Sequence, residues 1–201
     1  MSDASLKPLE IETGAAPVFS VIWLHGLGAD CNDFRDLPNM LNLPSGLPIR
    51  FILPNAPERA ITLNGGMVMR GWYDITGLDI NREARPEGLD ESADIVRTLL
   101  SREKARGMPP ERIFIGGFSQ GGAVALHLGL RYHQTLAGII GLFANIFLGG
   151  LLAILIPSMF YTFGMAFIFS NVIAHVLLSL IHISEPTRRT PISYAVVCLK
   201  K

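Results

Sequence analysis

The stretch from Arg112 to Leu126, Arg-Ile-Phe-Ile-Gly-Gly-Phe-Ser-Gln-Gly-Gly-Ala-Val-Ala-Leu, constrains this 201-residue chain more than any other. Ile113, Phe114 and Ile115 form a short apolar run of the kind buried in a parallel sheet. Gly117-Phe118-Ser119-Gln120-Gly121 then supplies a G-x-S-x-G, and a helical pattern from Gln120 to about Tyr132 follows. A serine between strand and helix on so sharp a turn needs glycine two residues away on each side, because side chains there would collide across the turn. Ser119 is therefore the candidate nucleophile, with its Oγ standing above the sheet. The helix behind it directs its N-terminal N–H groups at any negative charge that develops there.

The rest of the N-terminal two-thirds alternates strands with helices. Val18 to Leu24 is nearly all apolar, as in a strand buried on both faces, and it ends in His25-Gly26-Leu27-Gly28-Ala29-Asp30. Glycines just past a strand's carboxyl end let backbone N–H groups turn inward, at the edge where open α/β sheets bind ligands. Asn32 is expected to cap a helix reaching Leu41, and Ile49 to Leu53 to form a second strand closed by Pro54 and Pro57. Ile61 to Ile75 reads as loop, in which Trp72 and Tyr73 are either a candidate pocket wall or core aromatics. A helix starting at Asp90 or Ser92 carries Ala93, Ile95, Val96, Leu99 and Leu100 at helical spacing, and Gly107-Met108-Pro109-Pro110 ends it. The order predicts a parallel sheet wound right-handedly.

Four motifs recur together in one known group: His25 to Asp30, Leu53-Pro54-Asn55-Ala56-Pro57, Trp72-Tyr73-Asp74 and Gly116 to Ala123. In this order and spacing they resemble the phospholipase/carboxylesterase family, which includes bacterial carboxylesterases and acyl-protein thioesterases. The resemblance runs from about residue 15 to 142, where Leu136-Ala137-Gly138-Ile139-Ile140 is similar to the family's next strand. It implies an α/β-hydrolase fold, a mostly parallel sheet with flanking helices, incomplete here at the C-terminus. It also implies Ser119 as nucleophile, the backbone N–H groups of Leu27 and Gln120 as oxyanion hole, and Gly26, Gly117 and Gly121 as elbow and turn glycines. The activity implied is hydrolysis of a small-molecule carboxylic ester or thioester through a Ser119 acyl-enzyme, with no cofactor and no metal.

The chain departs from that pattern after the elbow. The fold's triad order is Ser, then Asp or Glu, then His. Beyond Ser119 the only acidic residue is Glu185, and no histidine follows it. The Gly-x-x-Asp segment and late Gly-His that the resemblance leads one to expect are missing. His127 lies eight residues along the helix, roughly 12 Å up its axis, and His133 farther. His25 is nearest the elbow, but the resemblance makes it a structural part of its turn, and no acidic partner is evident in sequence. The chain as given is therefore expected to be inactive.

Charge divides the chain. Residues 1–131 hold 13 of 17 Lys and Arg and 16 of 17 Asp and Glu, whereas the 53 residues from Tyr132 to Ser184 hold none. Soluble α/β domains keep a charged outer face on their helices, so three regions are expected: a hydrolase core over 1–142, an apolar segment of uncertain origin over 143–177, and a distinct end over 178–201. In that end, Leu178 to Arg188 and Ile192 to Leu199 resemble a translated sequencing adapter, with Val197 the one departure, which would make it non-biological. Residues 142–177 are long and apolar enough to span a bilayer, the basis of an alternative in which the chain is a membrane-anchored, non-enzymatic hydrolase-like protein. Zero net charge gives no reason to expect nucleic acid. Met1 to Glu12 lacks a secretory pattern, and Cys31 and Cys198 have no ligand or redox spacing, so a cytoplasmic protein with reduced thiols is expected. Nothing in the sequence sets the oligomeric state.

Overall fold

A computed structural model describes residues 7–41, 43–44, 46–76 and 88–143 and the backbone of 194–198. The strands are β1 (Leu9–Glu12), β2 (Phe19–Leu24), β3 (Ile49–Leu53), β4 (Glu58–Ile61), β5 (Met67–Arg70), β6 (Ile113–Phe118), β7 (Gly138–Phe143) and β8 (Tyr194–Cys198); the helices are α1 (Leu37–Met40), α2 (Leu89–Ala105) and α3 (Gln120–Gly129). The main sheet runs β1-β3-β2-β6-β7-β8, with β1 antiparallel to β3 and every other neighbour parallel. The apolar segment 143–177, apart from Phe143, lies outside the described residues, as does all of 178–201 except the backbone of β8. No helix among the described residues is long and apolar enough to cross a membrane.

The apolar strands pack as their composition requires. All six residues of β2 are buried, and its alternate side chains feed two cores. Val21 and Trp23 join Phe51, Leu53, Phe114 and Ile140 on one face; Ile22 and Leu24 join Val96, Leu100, Ile115 and Val124, beneath α2 and α3, on the other. From β2 the chain moves outward to β3, then crosses back to lay β6 against the opposite side of β2. The strand order thus reverses between β2 and β6, where α/β sheets open a crevice at their carboxyl edge.

Five expectations need correction. Asn32 does not cap: Asp30 does, accepting the Asn32 N–H while Asp33 accepts the Asp30 N–H, around a 3-10 turn, Cys31–Phe34. The expected single helix to Leu41 is split, because Pro38, in the first turn of α1, has no N–H to continue one. Neither Asp90 nor Ser92 caps α2: it starts at Leu89 after Gly88 in the left-handed region (φ 87°), since Ser92 Oγ donates instead to Trp72 O and Asp90 accepts from His127. Within 61–75, read as loop, β5 turns back antiparallel onto β4 to form a hairpin around Gly65 and Gly66, both at positive φ. Finally, α3 stops at Gly129, where the chain tightens into bonds such as Arg131 N–H to Leu128 O, 3.0 Å.

The sheet edge carries a buried charge. Glu103, on the inner face of α2, is fully enclosed; it accepts from Ser20 Oγ of β2 (2.6 Å), Arg50 Nη1 of β3 (2.9 Å) and Arg106 Nη1 (2.9 Å). Arg50 also pairs with Glu12, and Arg106 with Glu10, so β1 is tied into the same network. Burial opposes ionisation of Glu103, but the hydrogen bonds from Ser20 and Arg50 and the nearby positive charges outweigh it and hold the carboxyl below its ordinary value. Removing one partner of a buried pair strands the other, so Glu103→Ala should lower stability by about 3 kcal/mol. Because the folded-state value is depressed, this stabilisation is present above the unfolded carboxyl value, about 4.3, and is lost as pH falls through the folded value. Urea midpoints from pH 6 to 3 should therefore drop more steeply in the wild type than in Glu103→Gln.

Candidate active site

The elbow is built by close backbone packing. Register pairs Leu24 of β2 with Gly117 of β6, so the turns after both strands emerge side by side. A Cβ on Gly117 would sit 2.5 Å from the Gly121 carbonyl carbon and 2.7 Å from Leu24 O; one on Gly121 would sit 2.5 Å from both Leu24 O and His25 O. No real Cβ comes so close to backbone, so the Gly-x-Ser-x-Gly spacing is a steric requirement of this turn. Between those glycines Ser119 has φ 54° and ψ −115°, a backbone strain that its surroundings hold: its N–H donates to Leu142 O (2.7 Å) and its C=O accepts from Ala123 N–H (3.1 Å). Ser119 is half-exposed at the N-terminus of α3, and no side chain among the described residues hydrogen-bonds its hydroxyl.

The turn after β2 lies alongside. Ala29 N–H returns to Gly26 O (3.3 Å) and Gly28, at φ 74°, donates to Arg70 O (2.8 Å), so Leu27 lies inside the turn that these bonds close. Gly26 packs closely on the elbow, since a Cβ there would lie 3.1 Å from the Phe118 ring. Neither Leu27 N–H nor Gln120 N–H, the first of α3, has a backbone acceptor among the described residues outside regular elements, which leaves both as candidate donors to an oxyanion.

His25 is fully committed. Its Nε2 accepts Ala56 N–H (3.0 Å), its Nδ1 lies 2.7 Å from Gly26 O, and it is 1% exposed. Burial pushes its pKa down despite the Gly26 carbonyl, and the nearby Arg70 charge acts in the same direction, so the ring is neutral with Nδ1 as donor. With both nitrogens engaged it braces its own turn. His127 bonds Asp90 (2.9 Å) and faces Arg131, and His133 packs on Tyr132. No described histidine is bonded to Ser119.

Trp72 is closed into the core at 0% exposure; Tyr73 packs partly buried beside it, and burial raises its phenol. Asp74 holds the turn end of the β4–β5 hairpin by accepting from Thr62 N–H (2.8 Å) and Oγ1 (2.6 Å). Sequence reasoning missed what the Gln120 side chain does: its Oε1 accepts Trp72 N–H (2.8 Å) and its Nε2 donates to Tyr73 O (2.6 Å). No local pattern announces a tie across 48 residues. Among the described residues no group of three or more His, Cys, Asp or Glu could hold a metal. A cavity of about 670 Å³ beside Glu12, Thr13, Asn39 and Pro48 lies at the amino end of β3, at the opposite sheet edge from Ser119.

A mostly parallel sheet with flanking helices and a serine on a strained strand-to-helix turn define an α/β hydrolase. Residues 8–152 match the model of the phospholipase/carboxylesterase family, and the chain belongs to that family. It is 40% identical over 149 residues to an acyl-protein thioesterase 1 of Mycosarcoma maydis, covering 68% of this chain and 62% of the relative. Over 139 residues it is 41% identical to an acyl-protein thioesterase 1 of Schizosaccharomyces pombe, covering 69% and 61%. The chain thus spans about three-fifths of the length of these curated relatives. Among solved structures it is similar to Arabidopsis thaliana SOBER1, with a TM-score of 0.56 and 30% identity over 61% of each chain. Zea mays acyl-protein thioesterase 2 gives a TM-score of 0.52 at 28% identity, covering 66% of this chain and 60% of that one.

Because a methyl at Gly121 would overlap two carbonyl oxygens, Gly121→Ala should cost about 3 kcal/mol in urea unfolding. An Ala at that site with unchanged stability would mean that the elbow is looser than drawn.

Proposed function

We propose that this chain is a serine hydrolase of carboxylic esters or thioesters, and that Ser119 is its nucleophile. The observation that carries the reading is Ser119 at φ 54°, at the carboxyl edge where the strand order reverses and at the N-terminus of α3. In this reading Ser119 Oγ bonds the substrate carbonyl carbon and gives up its proton to a base, while the Leu27 and Gln120 N–H groups receive the developing oxyanion. Collapse expels the alcohol or thiol with that proton, and water then cleaves the acyl-enzyme. The relatives' names, acyl-protein thioesterase, favour an acyl thioester as substrate class. The elbow and turn glycines Gly26, Gly117 and Gly121 shape the backbone that this chemistry needs. No cofactor enters the scheme, and the cytoplasm is the proposed location.

We further propose that the triad is incomplete in the chain as given, since no described histidine or carboxylate serves Ser119. In a subtilisin-type triad, loss of the base costs on the order of 10⁶ in kcat and leaves roughly 10³–10⁴ over water. Hydrolysis of short-chain p-nitrophenyl esters by residues 1–201 should therefore be close to background. A fusion of residues 1–142 to a C-terminal part from a catalytically complete family member should show turnover and fluorophosphonate labelling that Ser119→Ala abolishes. Equal Ser119-dependent turnover in both proteins would mean that a base lies within this chain; labelling that survives Ser119→Ala would remove the nucleophile assignment.

A further inference from the structure

We infer that Trp72 is a positioning residue that sets the spacing between the two candidate oxyanion donors, an inference that rests on the reading of Ser119, Leu27 and Gln120 just given. The β2–β6 ladder holds the two strands in register only as far as Leu24 and Gly117. Leu27 lies three residues beyond that pair and Gln120 three residues beyond it on the other strand, so ladder hydrogen bonds do not fix either N–H. Trp72 joins the two turns. Its indole N–H donates to His25 O (2.8 Å), at the root of the Leu27 turn, and its backbone N–H donates to Gln120 Oε1 (2.8 Å), on the other donor residue.

Trp72 is itself held from three further directions. Gln120 Nε2 returns to Tyr73 O (2.6 Å), Ser92 Oγ of α2 donates to Trp72 O, and the His25 ring packs on the indole at 5.2 Å between centroids. With the indole 0% exposed and each of its N–H donors used, the residue has no freedom to follow a shifted turn. Oxyanion donors act only when held to within a few tenths of an ångström, so a rigid buried bridge between their turns is what the chemistry requires. This gives the Gln120 side chain a role separate from that of its backbone: it carries the bridge to the elbow.

The test compares the full chain with Trp72→Phe, which keeps a ring but removes the indole N–H, and with Phe51→Leu, a change in the core on the other face of the sheet from Trp72. Amide hydrogen exchange is followed at Gly28 and Ala29, whose N–H groups are bonded within or beside the Leu27 turn, and at Ile49–Leu53 as reference. Trp72→Phe should speed exchange at Gly28 and Ala29 at least tenfold and leave the reference amides within twofold, whereas Phe51→Leu should not single out the turn. Slow fluorophosphonate labelling of Ser119 should lose at least tenfold in maximal rate, with the half-saturating concentration within twofold. Turn amides that behave alike in Trp72→Phe and Phe51→Leu overturn the inference. If Trp72→Phe does not fold, Ser92→Ala decides: threefold or faster exchange confined to the turn supports the bridge, and an unchanged profile overturns it. Labelling that does not depend on Ser119 would refute the nucleophile reading, while the exchange comparison still decides whether Trp72 holds the turn.

Discussion

The backbone-to-backbone contact between the start of α3 and the end of β2 is the constraint on which the rest of this structure depends. Gly117 and Gly121 let the helix press onto the Leu24 and His25 carbonyls at distances no side chain would permit. That contact points the α3 N-terminus at the carboxyl edge of the sheet and brings the two turns together. It also forces Ser119 into a conformation that L-residues rarely adopt, a strain on the order of 1–3 kcal/mol. The surroundings offset it with the Leu142 and Ala123 bonds and with a helix whose Val124, Ala125 and Leu128 are buried against the sheet.

Behind the elbow, the cores on both faces and the Glu103 network do different work. The apolar faces stabilise without direction, through area removed from water. Glu103 adds direction: one enclosed carboxylate receives Ser20, Arg50 and Arg106, and so locates the C-terminal end of α2 over β2 and β3. The other end of α2 is located by Ser92 on Trp72 O and by Arg59, which bonds Glu91 and Gly71 O. A helix fixed at both ends carries the Trp72 segment to the elbow, so packing far from Ser119 bears on the geometry beside it.

The site has a formed frame, and among the described residues no histidine is bonded to its serine. Elbow, turn and helix N-terminus are in place among residues 25–28 and 116–121, yet His25 is held neutral by burial and spends both ring nitrogens on its own turn and on Ala56. Such a frame can stabilise negative charge but cannot itself take a proton from a hydroxyl.

The elbow was legible in the sequence, because glycine at both flanks of Ser119, an apolar run before it and a helical pattern after it lie within fifteen residues, although the Leu24 and His25 carbonyls that exclude a side chain at Gly121 arrive only with the fold. The buried strands β2, β3 and β6 were legible too, as short, largely apolar runs. Only the tertiary structure decided the rest. Edge strand β1 hides in an acidic Leu-Glu-Ile-Glu, because its charges are matched by Arg50, Arg102 and Arg106 far along the chain. Ser92 and Asp90 look like helix caps until Trp72 and His127 claim them, and the Gln120 side chain reads as any surface amide until folding sets it on Trp72 and Tyr73. A polar side chain's role depends on which partner burial brings within about 3 Å, and one-dimensional spacing does not carry that distance.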